Sequence, residues 1–334
     1  MINRYPFRPI LTGIMLLSLC VSEPLLASVS VGKYPALVRL VDVMVAEDGY
    51  PRDELVSVLE QANVDQKIID LMNRQYESLP WYKYRKLFIN DDRIRLGVEF
   101  WQENKSTLQA VEREYGVPQR ILVALIGVET HYGRRLGGER VLDALVTLTA
   151  DFPRRSKFFG KELRTFLNTT RKEGIDPTAV LGSFAGAIGI PQFMPTSYEA
   201  YAVDFNANGK RDLVNEVEDA IGSVGNYLAV HGWNRQQKIF SAVAEPLSES
   251  GKEMVTRRAK PKLTMDALSQ AGVRFDSSGA SKKAALLGLT QENGKRYFVG
   301  FRNFYAITRY NPSVNYAMAI TELSHQIDRR RQSQ

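Results

Sequence analysis

"ILVALIGVETHYGRR", residues 121–135, is the stretch that decides the fold. Apolar or small residues run without a break from Ile121 to Val128, which a helix buried on every side would carry. Pro118, after Gly116 and Val117, fits the first turn of that helix, and Gly133 fits its C-terminal stop. One carboxylate, Glu129, then falls in the last turn, near the negative end of the helix dipole. A buried, unpaired carboxylate is costly. Dipole and desolvation both disfavour its charged form, so a raised pKa is expected, as a general acid near neutral pH requires. The alternative is a Glu at a helix end pairing with Arg134 or Arg135 at the surface. From this stretch alone both readings stand.

Outward from this segment the pattern stays helical. From Tyr34 to about Tyr115, "ALVRLVDVMVAEDG", "RDELVSVLEQANV", "DQKIIDLMNRQY" and "DRIRLGVEFWQENKSTLQAVEREYG" repeat apolar residues every three or four positions, with Gly and Pro between them. From Val117 to about Trp233 the chain is mainly helical but richer in Gly. Composition shifts after "HGWNRQQ". Residues 236–302 read as a small α+β insertion, in which Asn293-Gly294 of "ENGKRYFVGF" suits a hairpin turn. "NYAMAITELSHQIDRR" is a closing helix. The expected divisions are 33–115, a helical domain; 116–235, a core completed by 303–334; and 236–302, the insertion. The fold class is mainly α (α+β).

The 334 residues are 44% hydrophobic and 24% charged, with material for two or three domains. The net charge of +7 tolerates an anionic polymer as partner but is more often that of a solvated surface. No Lys/Arg block interleaved with aromatic residues marks a nucleic-acid surface, so no nucleic acid is expected. The first residues, "MINRYPFRPILTGIMLLSLCVSEPLLASVS", place Arg4 and Arg8 before an apolar run from Ile10 to Val21 and small residues near Ala27. This is the plan of a secretory signal at 1–27. The run is short for a membrane span. The only cysteine, Cys20, ends "LSLC", which resembles a lipoprotein signal over 1–19, although Leu19 stands where such boxes carry a small residue. A soluble periplasmic protein and one lipid-anchored through Cys20 to the outer membrane are both expected forms. The mature domain then has no disulfide, and packing alone must stabilise it.

Three further stretches bear on chemistry. "GSFAGAIGIPQFMPTSY", residues 182–198, is too rich in Gly, Ala and Pro for a regular helix. It would let backbone approach a ligand, with Ser183 and Gln192 as hydrogen-bonding groups and Phe193 and Met194 as an apolar wall; a tight helix-packing loop would look the same. "DFPRRSKFF" pairs Arg154 with Arg155. "RNFYAITRYNPSVNYAMAI" is dense in Tyr and Asn, which suits stacking on sugar faces.

Together with "GVETHYG", "VLDALVTL", "AVDFNANGKRDL" and "DAIGSVGNYLAVHGW", these stretches resemble, in order, the motifs of the membrane-bound lytic murein transglycosylase B family, glycoside hydrolase family 103. The resemblance implies a lysozyme-like helical core, a helical domain and a small β-containing domain. It implies cleavage of the β-1,4 bond between N-acetylmuramic acid and N-acetylglucosamine in peptidoglycan strands, without water, leaving 1,6-anhydro ends. Most glycosidases use two carboxylates; here Asp143 and Asp151 read as helix interior and helix cap, and Glu129 alone serves as acid and then base. A hydrolytic muramidase and a non-catalytic peptidoglycan-binding scaffold are the alternatives. By motif position, Ser183, Gln192, Phe193, Met194, Arg154, Arg155, Tyr84, Tyr227, Tyr310, Asn311 and Tyr316 would contact substrate. Phe184 stands where many relatives carry Tyr. No catalytic cofactor is expected, and a monomer is.

"DFNANGKRDLVNEVED" begins like a calcium loop, with Asp204, Asn206, Asn208 and Asp212 at ligand positions, Gly209 at the sharp turn, and Lys210 offering its carbonyl. Asn215 stands where the closing Glu belongs. The family closes the loop later, which points to Asp219 or Glu218. Structural calcium is one expectation and an Asn/Gly-rich loop without metal the other. His131, His231 and His325 show no metal-ligand spacing.

Overall fold

The computed structural model describes residues 29–73 and 79–334. The expected signal segment and Cys20, with its lipid anchor, lie outside the described residues. Among those residues no helix is long and apolar enough to cross a membrane.

Helices dominate. The first are α1 (Pro35–Glu47), α2 (Arg52–Leu59), α3 (Gln66–Asn73), α4 (Trp81–Phe88), α5 (Asp91–Glu103) and α6 (Lys105–Tyr115). The apolar run forms α7 (Gln119–Thr130). A two-residue strand β1 (Glu139–Arg140) precedes α8 (Val141–Asp151) and α9 (Ser156–Glu173). Then come β2 (Leu181–Gly182), paired with β1, and helices α10 (Pro195–Tyr201) and α11 (Val217–Val230). The insertion holds β3 (Phe240–Ala242), α12 (Glu249–Glu253), β4 (Leu263–Thr264), α13 (Met265–Gln270), β5 (Lys283–Thr290) and β6 (Lys295–Gly300). The chain closes with α14 (Arg302–Tyr310) and α15 (Val314–Gln332).

Three buried clusters organise these elements. The largest surrounds α7, whose residues Ile121 to Ile126 are fully buried. A helix without a polar face needs neighbours on all sides, and α5, α6, α11 and α15 supply them. Pro118 precedes the first helical residue at φ −60°, where its missing N–H is no loss. The second cluster joins α1–α3 to α8 and α9. Asn63 N donates to Asp143 Oδ1 at 3.1 Å, Asp65 N to Thr147 Oγ1 at 3.1 Å, and the Tyr50 hydroxyl to Leu167 O at 2.8 Å.

The segment expected to be one helical domain over 33–115 therefore divides. Its first three helices complete the core of α8 and α9, whereas α4–α6 pack into the core of α7. The reason is α8 itself, whose "VLDALVTLTAD" is buried along most of its length and so demands cover from a second direction.

The insertion forms an antiparallel sheet of order β3-β6-β5-β4. Its two faces belong to different cores, as the alternation of side chains along a strand allows. Ala284, Leu286 and Val299 join the third cluster, under α13, while Ala285, Leu287, Leu289 and Phe298 join the cluster of α7. The β5–β6 hairpin closes where expected: Gln291 N donates to Gly294 O at 3.0 Å, and Gly294 takes φ 86°.

Tight packing beside α7 rests on Gly127. A Cβ there would meet Tyr132 Cζ at 2.5 Å, because the Tyr132 ring folds back over the helix and its hydroxyl donates to Arg93 O at 2.7 Å. Gly127→Ala is expected to lower unfolding free energy by about 1–3 kcal/mol, read from urea melts of the purified protein.

Candidate active site

The site begins where α7 ends. The sequence placed the stop at Gly133, but the helix ends at Thr130, and His131, Tyr132 and Gly133 take φ of 53°, 62° and 80° in succession. Left-handed backbone in a residue with a side chain costs roughly 1–2 kcal/mol. Its surroundings hold it there. Thr130, fully buried, donates its hydroxyl to Ile190 O at 2.9 Å and accepts Gly133 N at 3.0 Å. His131 Nε2 lies 3.2 Å from Asp92 Oδ2. Of the four non-glycine residues with positive φ among those described, three (His131, Tyr132 and Gln192) lie at this junction of helix and Gly-rich loop. Backbone strain concentrated in this way is a mark of functional sites.

Glu129 projects from that last turn and is half-buried. The Tyr316 hydroxyl, from the first turn of α15, donates to its Oε1. Burial, and secondarily the Glu129 charge, pushes the Tyr316 and Tyr310 phenols well above their usual range. Burial does the same to Tyr227, with Glu129 contributing again. All three therefore keep their protons. Tyr84 lies close enough to Tyr316 to add to its shift. Four tyrosines from α4, α11, α14 and α15 are thus gathered around a single carboxyl.

Two of their hydroxyls are engaged in holding backbone. Tyr310 donates to Pro191 O and Tyr227 to Arg309 O, each at 2.6 Å. Their rings enclose Phe193, with centroids 5.6 Å from Tyr227 and 5.7 Å from Tyr310. Phe193 is only 1% exposed, so it lies beneath the aromatic surface and supports it. Its neighbour Met194 packs against the second cluster. Asn311 follows α14 and accepts Ser313 N at 3.2 Å, shaping the entry into α15.

The Gly-rich segment is a folded loop. Its glycines serve contacts within the protein: Gly189, at φ 72°, passes against the Leu213 carbonyl so closely that a Cβ would collide with it. Ser183 Oγ accepts Ala187 N at 3.0 Å and Ala185 N at 3.3 Å, fixing the turn. Gln192 donates its amide to Leu136 O at 3.0 Å and Gly189 O at 2.9 Å. Phe184 is exposed on the same loop. Arg154 and Arg155 sit elsewhere, in the turn between α8 and α9, where Arg154 Nη2 meets Asn73 Oδ1 at 2.7 Å and Arg155 lies 4.4 Å over the Phe158 ring. Thr130, which joins the helix end to the loop, was not singled out from sequence. Its only signal was a hydroxyl side chain closing an otherwise apolar run.

The loop 204–219 is folded on its own carboxylates. Asp204 accepts Asn208 N at 3.0 Å and Gly209 N at 2.7 Å. Asp219, fully buried, accepts Phe205 N at 2.8 Å, Asn206 N at 3.4 Å and Asp212 N at 2.9 Å. Burial raises its pKa, and those amides oppose the shift. Asp212 accepts Val214 N and Asn215 N at 2.9 Å each. Lys210 N donates to Asn208 Oδ1 at 3.0 Å. The side-chain amides of Asn206 and Asn208 converge on Glu216, at 2.7 and 2.8 Å, a residue the sequence reading passed over. Asp204, Asn206, Asn208 and Glu216 thus lie together in this loop, and carboxylate and amide oxygens are the hard donors that calcium takes. No cluster of three or more His, Cys, Asp or Glu with metal-site spacing occurs among the described residues.

A mainly helical fold with one carboxyl at the end of its central helix, set among tyrosines, defines a class of glycan-cleaving enzymes. The pattern of the transglycosylase SLT domain matches residues 33–325, and the chain belongs to that family. It is 40% identical over 304 residues to membrane-bound lytic murein transglycosylase B of Escherichia coli strain K12, covering 88% of this chain and 82% of that protein. Among solved structures, soluble lytic transglycosylase SltB1 from Pseudomonas aeruginosa superposes with a TM-score of 0.83 at 41% identity, over 89% of this chain and 100% of SltB1. The Escherichia coli lytic transglycosylase Slt35 in complex with calcium gives 0.81 at 39%, over 90% and 94%. SltB3 from Pseudomonas aeruginosa in complex with NAG-anhNAM-pentapeptide gives 0.73 at 27%, over 87% and 78%.

Thr130→Val keeps the shape but strands Gly133 N and removes the bond to Ile190 O. A loss of about 1–3 kcal/mol is expected, measured by denaturant unfolding against the parent chain.

Proposed function

We propose that this chain is a lytic transglycosylase of peptidoglycan, in which Glu129 acts first as acid and then as base. The observation that carries the reading is the single carboxyl at the end of α7, held by the Tyr316 hydroxyl, in a chain of the transglycosylase SLT-domain family. The Glu129 carboxyl gives its proton to the glycosidic oxygen as the bond from C1 of N-acetylmuramic acid breaks. The 6-hydroxyl of the same sugar then bonds to C1 and passes its proton to the Glu129 carboxylate. The acid is regenerated, a 1,6-anhydro ring closes, and no water is consumed. A tethered nucleophile needs no second carboxylate to activate it. Tyr316 fixes the rotation of the carboxyl, and its firmly held proton lets it remain a donor in both steps.

Hydrolysis on this fold would require a second acid or base. Asp143 is bound to the Asn63 amide in the second core, and Asp151 ends α8 on the surface, which favours the anhydro route. We assign sugar and peptide contacts to Ser183, Gln192, Met194, Arg154, Arg155, Tyr84, Tyr227, Tyr310 and Asn311, with Phe193 supporting them from below. The action is placed in the periplasm on the strength of the N-terminal export pattern. Glu129→Gln is expected to abolish release of 1,6-anhydromuropeptides from sacculi while leaving the thermal melt unchanged. A Gln variant that still released them, as detected by mass spectrometry, would refute the assignment.

We also propose structural calcium in the loop 204–216, held by oxygens of Asp204, Asn206, Asn208 and Glu216, with Asp219 pinning the loop through its three amides. Slt35 in complex with calcium supports this. With two Asn among the donors the site has low charge and modest affinity. Millimolar calcium is expected to raise the melting temperature relative to chelator, and Asp204→Ala to remove the rise. No rise in the parent chain would count against the site.

A further inference from the structure

The net charge of +7 is not spread evenly along the chain. Residues 236–302 carry twelve Lys and Arg against six Asp and Glu, which leaves thirty-two against thirty-one for all the rest. Nearly the whole surplus therefore sits on the insertion. Two of its acids are already engaged by neighbours, Asp276 by Lys238 and Glu249 by Lys252.

Half of those cations gather at one edge of the sheet. The segment 256–262 is tied to β5 at both ends: Thr256 N donates to Leu286 O and Lys262 N to Ala284 O, each at 2.9 Å. The two acceptors stand about 7 Å apart along the strand, so the five residues between the ties arch off it. Ala259, 7% exposed, pins the arch into the central cluster, and Arg258 N donates to Thr256 Oγ1 at 3.1 Å. Arg257, Arg258, Lys260 and Lys262 are left exposed on this fixed segment. Lys283, paired in register with Thr264 of β4, and its neighbour Lys282 add two more exposed cations. Because β4 is the outermost strand, no further strand covers this edge. None of the six cations has an ion-pair partner among the described residues, and no acid interrupts residues 254–265.

Charged residues on an edge strand also keep sheets from pairing edge to edge. Charge of either sign meets that need, whereas here the sign is uniform. We propose that this edge is a docking surface for an anionic polymer network, namely peptidoglycan, gripped through the carboxylates of its peptide branches. Among the described residues the insertion exposes no large apolar side chain, which binding to a lipid surface would call for, so charge is what the edge offers. Charge alone suits a partner whose carboxylates recur: each exposed contact is weak, and many together hold. A sacculus presents many strands at once, so docking here places no demand on the distance to Glu129. Only the identity of the polymer rests on the function proposed above.

The test is cosedimentation with purified sacculi at low ionic strength, comparing the parent chain with the quadruple variant Arg257→Gln, Arg258→Gln, Lys260→Gln, Lys262→Gln. The variant is expected to bind about tenfold more weakly, and salt at about 0.5 M to erase the difference. Exchanging Arg for Lys and Lys for Arg at the same four positions should keep binding within about twofold of the parent. Equal binding by parent and Gln variant would show a solvated, edge-guarding charge and overturn the proposal. Sacculi whose carboxylates have been capped as amides should bind parent and Gln variant alike; a difference that persisted there would overturn the carboxylate assignment. Tighter binding of the parent to vesicles of an anionic phospholipid than to sacculi would show a lipid surface and overturn the polymer. If the parent chain releases no anhydro ends, the function proposed for Glu129 fails, while cosedimentation still decides the edge.

Discussion

The structure depends on one helix that has no solvent side. Because α7 is apolar around its whole circumference, the rest of the chain is arranged to enclose it, and its end is the one place where a polar group can emerge. Glu129 stands at that end. Its surroundings come from elements far apart in sequence: the Tyr316 hydroxyl from α15, the Tyr310 and Tyr227 rings from α14 and α11, and the clamp between Thr130 and Ile190. A carboxyl set on the most deeply packed element has its position fixed by the whole core.

The Gly-rich loop joins two cores that otherwise meet along few surfaces. Ile188 and Met194 pack with the cluster of α8 and α9, whereas Ile190 and Phe193 pack with that of α7. Between them Gln192 takes a left-handed conformation, held by its own amide on Leu136 O and Gly189 O. The glycines matter because backbone runs against backbone there, as at Gly189 and Leu213, and any side chain would push the strands apart.

Much of this was legible in the sequence. The unbroken apolar run announced a central helix and the Asn-Gly pair a hairpin, while the isolated carboxylate stood out as a polar group at the end of that helix. The mainly α class follows from periodicity, and the small α+β insertion from the shift in composition after Gln237 and the Asn293-Gly294 turn. What was not legible depends on contacts across the chain. Periodicity finds the apolar faces of α1–α3 and of α4–α6 alike, but not which partner covers each, so their separation into two cores was invisible. Gly133 looked like the natural stop after α7, yet the turn is made by His131 and Tyr132 because Thr130 and Arg93 hold them there. Glu216 was passed over because it falls outside the regular loop spacing, and the two Asn side chains bring it in.

The sheet of the insertion has one further consequence. Since Ala285, Leu287, Leu289 and Phe298 are part of the central cluster, the insertion is a wall of the enzyme and not an appendage. Excising residues 236–302 would open the interior to water along a whole side, so this part of the chain is not a detachable passenger. A polar substitution on either face of β5 would disturb a core, whereas the exposed hairpin tip at Asn293-Gly294 would bear one freely.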